Sequence, residues 1–177
     1  MSARPAAELA ALATHVPGVV VRFATPADAA LVLRFVHALA EYEQLTHEVD
    51  ATEAHFRDYL GQAQPIIECL IAEYHGTPAG FALFYKTFST FRGRPGLYLE
   101  DLFVYPEHRR CGLGSVLMKA VGRIALARGY VRYDWQVLDW NTPAIEFYEV
   151  LGARPLRQWI PFRLDGPALD ALRAGDN

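Results

Sequence analysis

Arg109-Arg110-Cys111-Gly112-Leu113-Gly114-Ser115 decides how the rest of this chain is read. The stretch follows an apolar, strand-like run at residues 98–104 that Tyr105-Pro106 closes. It opens a helix-like run that continues to Arg128 and stops at Gly129. A glycine-rich turn at a helix N-terminus offers several unpaired backbone N–H groups, and the helix dipole and both arginines favour the same charge, an anion. Gly112 and Gly114 carry no Cβ, so the backbone can approach a phosphate closely. The segment reads as a pyrophosphate cradle.

Working outward, the chain of 177 residues fits one domain with one core. With 52% hydrophobic and 12% aromatic residues it is a globular sequence, and a net charge of -3 gives no basic footprint for nucleic acid. Cys69 and Cys111 form no CxxC pair and no disulfide framework, which points to the cytoplasm. The six histidines lack metal-finger or HExxH spacing, so no metal is expected. No apolar run is long enough to span a bilayer. Residues 1–18, alanine-rich with Glu8 among them, read as an N-terminal extension that carries no chemistry, and residues 19–177 as the domain.

Elements follow from pattern. Residues 19–23 predict a first strand, and Thr25-Pro26 with Asp28 a capped helix whose apolar face is Val32, Phe35, Val36 and Leu39. Asp50 with Glu53 predicts a second cap, and Phe56 with Leu60 a short helix. Residues 65–74 and 79–88 predict two strands joined at His75-Gly76-Thr77-Pro78, with residues 89–96 a loop. Strands are expected at 98–104, 133–140 and 159–164, and helices at 112–128, from Asn141-Thr142-Pro143 to Gly152, and at 167–173. The order is α+β, with a hairpin-rich first half and a β-α-β crossover in the second.

Three phosphate motifs compete for the glycine turn. A P-loop needs Lys and then Ser or Thr after its glycines, which Ser115-Val116 does not supply. A dinucleotide fingerprint needs a third glycine where Leu117 stands; Asp134 falls where a ribose-binding acid could sit, but the repeated β-α-β halves are missing. The third is the Arg-x-x-Gly-x-Gly loop of acyl-CoA-dependent N-acetyltransferases. Four blocks carry that match: Ala38-Leu39-Ala40-Glu41-Tyr42-Glu43; Gly80-Phe81-Ala82-Leu83-Phe84-Tyr85; Tyr98-Leu99-Glu100-Asp101-Leu102-Phe103-Val104 running into the Arg109 loop; and Asp139-Trp140-Asn141-Thr142-Pro143-Ala144-Ile145-Glu146-Phe147-Tyr148 with Gly152-Ala153. On these residues the chain resembles the GNAT superfamily of N-acetyltransferases, and within it the spermidine/spermine, thialysine and diamine/ornithine N-acetyltransferases. The resemblance implies a single domain with a mixed, splayed β-sheet flanked by helices, acetyl-CoA as cosubstrate, and a homodimer.

Acetyl transfer to an amine requires deprotonation of the ammonium ion, polarisation of the thioester carbonyl, and a proton for the leaving thiolate. Glu100 alternates with Tyr98, Leu102 and Val104 along its strand, so a carboxylate is expected on an otherwise apolar face, with Asp101 structural on the other. By pattern alone Glu100 reads as a carboxylate paired with an arginine; the resemblance places it at the amine site as the catalytic acid-base group, its pKa raised by burial. Tyr148 reads by pattern as a core tyrosine beside Ile145 and Leu151, and by resemblance as the general acid, since a phenol stays protonated at neutral pH. Asn141 reads as a helix cap and, by resemblance, as a cofactor contact. The resemblance also implies that the backbone of Leu102, Phe103 and Val104 accepts the pantetheine arm, and that Arg109, Arg110, Cys111, Gly112, Leu113, Gly114 and Ser115 hold the pyrophosphate. Cys111 has no His–Asp arrangement beside it that would make it a nucleophile.

Tyr42, Glu43 and Ser89 match family positions that line the acceptor site. By pattern, Tyr42 and Glu43 are equally the wet end of the first helix. Ser89 stands where the spermidine/spermine enzymes carry an acid, and Arg92, Arg94 and Arg157 add positive charge, so an acceptor with both an amine and a carboxylate fits better than a long polycation. Two other readings stay open at this point: a protein or peptide N-acetyltransferase, and a non-catalytic acetyl-CoA-binding module.

Overall fold

The structure, a computed structural model, describes residues 5–173, and it falls into two compact units, one through Gln136 and one from Val137 onward. In the first unit, α1 (Ala6–Ala10), β1 (Val19–Phe23), α2 (Ala29–Glu43), α3 (Glu53–Leu60), β2 (Glu68–Tyr74), β3 (Thr77–Ser89), β4 (Arg94–Val104), α4 (Leu113–Ala127) and β5 (Tyr133–Trp135) follow in order. The five strands form one sheet in sequence order, antiparallel except for the parallel pair β4–β5. This is the expected mixed sheet flanked by helices.

Local chemistry explains most boundaries. The backbone N–H and the hydroxyl of Thr25 donate to Asp28 at 2.8 and 2.9 Å, closing the turn that launches α2. Arg22 of β1 donates to both oxygens of Asp28 and, at 2.8 Å, to Glu73 of β2, which ties the start of α2 to the sheet and holds the Asp28 carboxyl down to about 2. The β2–β3 turn has positive φ at His75 (50°) and Gly76 (79°), the conformation of a tight two-residue hairpin. The cap of α3 differs from the expectation at Asp50: Thr52 caps it, accepting from the His55 N–H at 3.3 Å, because an N-cap must immediately precede the helix it closes.

One sheet face packs against α2 and α3. Phe35 of α2 stacks on Phe81 of β3 with ring centroids 5.1 Å apart, and Cys69, Ile71, Leu83 and Phe103 join the same core. By the two-residue alternation of strands, Leu70, Phe84, Leu97 and Leu99 face the other way, where α4 buries Leu113, Leu117, Val121 and Ile124 against β2, β3 and β4.

Four expectations are corrected. Residues 89–96 are a continuous hairpin rather than a loop: Ser89 pairs with Arg94, and Gly96 pairs with Thr87 where a Cβ would lie 2.9 Å from the Thr87 hydroxyl and the Arg132 side chain. The polarity of that segment reflects close packing rather than irregular backbone. The strand predicted at 133–140 stops at Trp135, since its pairing with β4 covers only Leu97 to Leu99 and ends where β4 bulges at Glu100. The strand predicted from 65 begins at Glu68. Residues 159–164 form no strand, as Pro161 removes a ladder donor from the middle of the run.

The N-terminal segment is also more than an appendage. Glu8 of α1 receives two hydrogen bonds from Arg128, at 3.0 and 2.8 Å, and Arg128 bonds Glu68 of β2 as well, at 2.9 Å on one oxygen. Arg123 donates to the carbonyl of Ala13 at 2.7 Å. The first four residues of the predicted extension lie outside the described residues. The second unit contains α5 (Thr142–Val150), capped by Asn141, and α6 (Gly166–Asp170). No helix among the described residues is long and apolar enough to cross a membrane.

Replacing Arg128 with alanine leaves the largely buried Glu8 and Glu68 carboxylates without their shared cation. The expected cost is about 3 kcal/mol, read as a lower urea midpoint at unchanged slope; an unchanged midpoint would show that the cluster contributes nothing net.

Candidate active site

The site in the first unit is built around one irregularity. Leu83 of β3 pairs with Asp101 and Phe84 pairs with Leu99, so Glu100 has no partner and forms a β-bulge. A bulge sets two successive residues against one across the ladder and overrides alternation. Asp101 shares the α2 face with Leu83, Cys69 and Phe103, and Glu100 is turned toward Tyr85, with which it shares a hydrogen bond. Tyr85 and Leu83 lie two apart on β3 and therefore face the same way. The expected arrangement, with Glu100 aligned with Leu102 and Val104 and Asp101 on the opposite face, is corrected: both carboxylates serve the α2 side.

The two acids have different surroundings. Glu100 is exposed. Asp101 is largely buried, and its carboxyl is pushed up to about 7, first by burial and then by the charges of Glu100 and of Glu43 at the end of α2. Burial also raises Glu43. The burial expected at Glu100 falls on its neighbour. Tyr85 and Tyr98 pair across the strands with stacked rings, centroids 5.3 Å apart. Burial, the Glu100 charge and the Glu100 hydrogen bond push the Tyr85 phenol up to about 12; burial and the charges of Glu100 and Asp134 raise Tyr98 as well. Cys69, buried and near Asp101, is held firmly as a thiol.

Of the predicted acceptor residues, Tyr42 and Glu43 end α2 beside this cluster. Ser89 stands apart within the chain: it pairs with Arg94, six positions up β4 from Glu100 and roughly 20 Å along the strand, and its buried hydroxyl accepts from the Arg92 N–H at 3.3 Å. Arg92 and Arg94 are exposed at that hairpin end.

The glycine turn has the expected form. Arg110 (φ 63°) and Gly112 (φ 81°) are left-handed, and the 15-residue α4 begins directly after Gly112. Its first-turn N–H groups, from Leu113, Gly114 and Ser115, have no acceptor within the helix. A Cβ on Gly112 would touch only Val16, at 3.9 Å, so glycine serves conformation and approach rather than packing. The Leu113 side chain is buried, leaving only its backbone for a ligand, and Cys111 is exposed. A pyrophosphate fits this open, donor-rich turn. Arg109 departs from the expectation in its side chain: the guanidinium lies 4.6 Å over the Tyr42 ring and 5.7 Å from the Phe103 ring, and its Nε donates to the Val104 carbonyl at 3.0 Å. It braces the loop against the end of α2 and against β4. Beyond Leu99, β4 pairs only with β3, so one backbone edge of Leu102, Phe103 and Val104 is unpaired by any strand among the described residues.

In the second unit, the Asn141 side chain accepts from the Ala144 N–H at 3.4 Å and caps α5, as expected. Tyr148 sits half-buried on that helix beside Phe147. No group of three or more His, Cys, Asp and Glu among the described residues could hold a metal. Sequence reasoning missed Asp101, Tyr85 and Tyr98. The one available signal was two successive acids inside a strand, since regular alternation would send one of them into a core.

The Acetyltransferase (GNAT) family profile matches residues 33–153, which include both the bulged strand and α5. The chain is 39% identical to a thialysine N-epsilon-acetyltransferase of Sus scrofa, over 87% of this chain and 96% of the relative. It is 29% identical to L-ornithine N5-acetyltransferase NATA1 of Arabidopsis thaliana, over 86% of each. Among solved structures, an integron cassette protein from the V. cholerae mobile metagenome superposes with a TM-score of 0.74 at 26% identity, covering 89% of this chain and 99% of that one. The chain belongs to the GNAT acetyltransferase family, and it is an acetyltransferase.

Because burial lifts Asp101 above the ordinary carboxylate range, the folded state loses stability as pH rises from about 4 to about 7, where the unfolded chain ionises first. Asp101→Asn should stabilise the protein by roughly 2 to 3 kcal/mol more at pH 8 than at pH 5. Paired thermal melts at the two pH values check this; equal effects at both would place the carboxyl in water.

Proposed function

We propose that this chain transfers the acetyl group of acetyl-CoA to a primary amine of a small molecule: a diamine, a polyamine, or an amino acid of lysine, thialysine or ornithine type. The observation that carries the reading is the pairing, along one strand, of an acidic, tyrosine-walled cluster (Glu43, Glu100 and Asp101 with Tyr42, Tyr85 and Tyr98) with an anion-accepting glycine turn. The first suits a cationic amine and the second a pyrophosphate. The names of the relatives, thialysine and ornithine acetyltransferases, support a small amine.

In this reading the backbone of Arg110, Cys111, Gly112, Leu113, Gly114 and Ser115, with the Arg109 and Arg110 charges, binds the pyrophosphate of acetyl-CoA. The free edge of β4 at Leu102, Phe103 and Val104 receives the pantetheine arm, and Asn141 orients it. Glu100 draws the ammonium group and steers its deprotonation, with Tyr42 and Glu43 lining the approach. The amine attacks the thioester directly in a ternary complex, and Tyr148 supplies the proton for the thiolate. Ser89 in place of an acid, with Arg92, Arg94 and Arg157 exposed, favours an acceptor that carries a carboxylate. We further propose a cytoplasmic homodimer. Both cysteines are free, and Val150, Ile160 and Phe162 of the second unit are 87%, 74% and 93% exposed, an apolar surface suited to burial against a second copy.

The test is thiol release from acetyl-CoA, with product mass, across spermidine, putrescine, ornithine, lysine, thialysine and a lysine peptide. Turnover is expected to be fastest with a lysine-type amino acid; a strong spermidine preference would overturn the carboxylate argument, and a peptide preference the small-amine reading. Tyr148→Phe should lower kcat about 100-fold while acetyl-CoA still binds. Acetyl-CoA binding with no turnover on any amine would mark a non-catalytic module.

A further inference from the structure

The structure leaves two adjacent carboxylates at the amine site, and their settings give them different tasks. We propose that Asp101, rather than Glu100, takes the proton from the acceptor ammonium ion, while Glu100 holds the amine. The inference rests on the acetyl-transfer reading above and deepens it.

The geometry comes from the bulge. Regular alternation would separate these two side chains by the thickness of the sheet; the unpaired Glu100 brings both to the α2 face opposite Leu83. There they meet unequal surroundings. Asp101 sits in the cross-strand row Cys69–Leu83–Asp101, among side chains of the α2 core, and keeps only a narrow solvent-facing edge. No cation or hydrogen-bond donor among the described residues holds it. Glu100 is exposed to solvent and shares a hydrogen bond with the Tyr85 phenol. Two adjacent carboxylates, one enclosed and one open to solvent, can divide the tasks of proton acceptor and cation holder.

Cys69 on β2 is held as a thiol and Tyr85 on β3 as a phenol, so neither titrates near neutrality. Arg109, over the Tyr42 and Phe103 rings, carries a fixed positive charge and bonds the Val104 carbonyl. Glu100 on β4 and Glu43 on α2 repel a charge on Asp101, which burial already disfavours, and together they set its titration at about 7. A base is most effective when it titrates near the working pH. An arriving ammonium ion lowers that repulsion and is held by Glu100 beside the Tyr85–Tyr98 ring pair.

The step balances. One N–H proton passes from the ammonium nitrogen to a carboxylate oxygen of Asp101. The freed lone pair forms the C–N bond at the acetyl carbonyl carbon, the C–S bond breaks, and its electrons leave with sulfur. The nitrogen loses its second proton as the thiolate gains one, and Asp101 returns its own to water through its exposed edge.

The experiment follows kcat/KM for thialysine with acetyl-CoA from pH 5.5 to 9 in the full chain. The wild type should show an acidic limb near pH 7. Glu100→Gln should raise KM for thialysine about 10-fold yet keep the limb, moved to lower pH because a negative neighbour of Asp101 is gone. Glu43→Gln should move it the same way. Asp101→Asn should lose the limb and about 100-fold in kcat with acetyl-CoA affinity kept, and Asp101→Glu should restore part of both. If Asp101→Asn has no measurable rate, the two glutamine variants decide: a displaced limb supports Asp101, and a limb that vanishes in either names that glutamate instead. A limb that persists in Asp101→Asn overturns the assignment alone. A wild type that binds acetyl-CoA and acetylates no amine sinks the functional reading and this assignment with it.

Discussion

The bulge at Glu100 is the constraint on which the rest of this molecule depends. A regular β4 would pair Phe84 with Glu100 and send alternate residues to opposite faces. Inserting one unpaired residue has three consequences at once. Glu100 and Asp101 come to the same side, β4 turns away so that β5 can follow it only from Leu97 to Leu99, and the stretch from Leu102 to Val104 keeps a free backbone edge. The cluster that suits an amine and the edge that suits an extended chain are therefore products of a single irregularity. Neither could be had from the strand without the other.

That device is built on ordinary packing. Phe84 and Leu99 bury fully against the α4 side immediately before the bulge, and Leu83 and Phe103 do so against α2 around it. Side chains locked on both faces fix the register, so the bulged residue cannot slip along the strand. Arg109 adds a second brace from the loop, stacked on Tyr42 and bonded to Val104, which links the glycine turn to the end of α2.

What was legible in the sequence was local. The Thr25–Asp28 cap, the His75-Gly76 turn, the Asn141 cap and the run of α4 each depend on a few neighbouring residues whose chemistry allows one arrangement. The bulge showed only in the two successive acids Glu100 and Asp101, and its position follows from the register of β3 against β4. Polarity misled at residues 89–96, where a tight hairpin was hidden by glycine and arginine. Hydrophobicity misled at residues 159–164, since Trp159, Ile160, Phe162 and Leu164 have strand character but Pro161 breaks the ladder and the side chains stay exposed. Of the site residues read from family resemblance, those of the first unit lie along β4, the end of α2 and the glycine turn, with Ser89 apart from them, and Asn141 and Tyr148 belong to the second unit. The role of Asp101 needed its neighbours in space.

The electrostatics of β4 then bear on why such a site persists. A buried carboxyl lifted by two like charges destabilises the fold at neutral pH, and an asparagine of similar size would remove that cost. Local rules broken without local compensation tend to mark function. In the proposed function the compensation would arrive with the substrate: a cation entering among Glu43, Glu100 and Asp101 would relieve their repulsion and gain binding energy at the atom that must lose a proton. At the other end of the same strand, the α4 N-terminus and its arginines attract the opposite charge. In the proposed function an anionic cosubstrate and a cationic acceptor would be drawn to separate ends of one short segment, with the unpaired edge between them for their reacting groups.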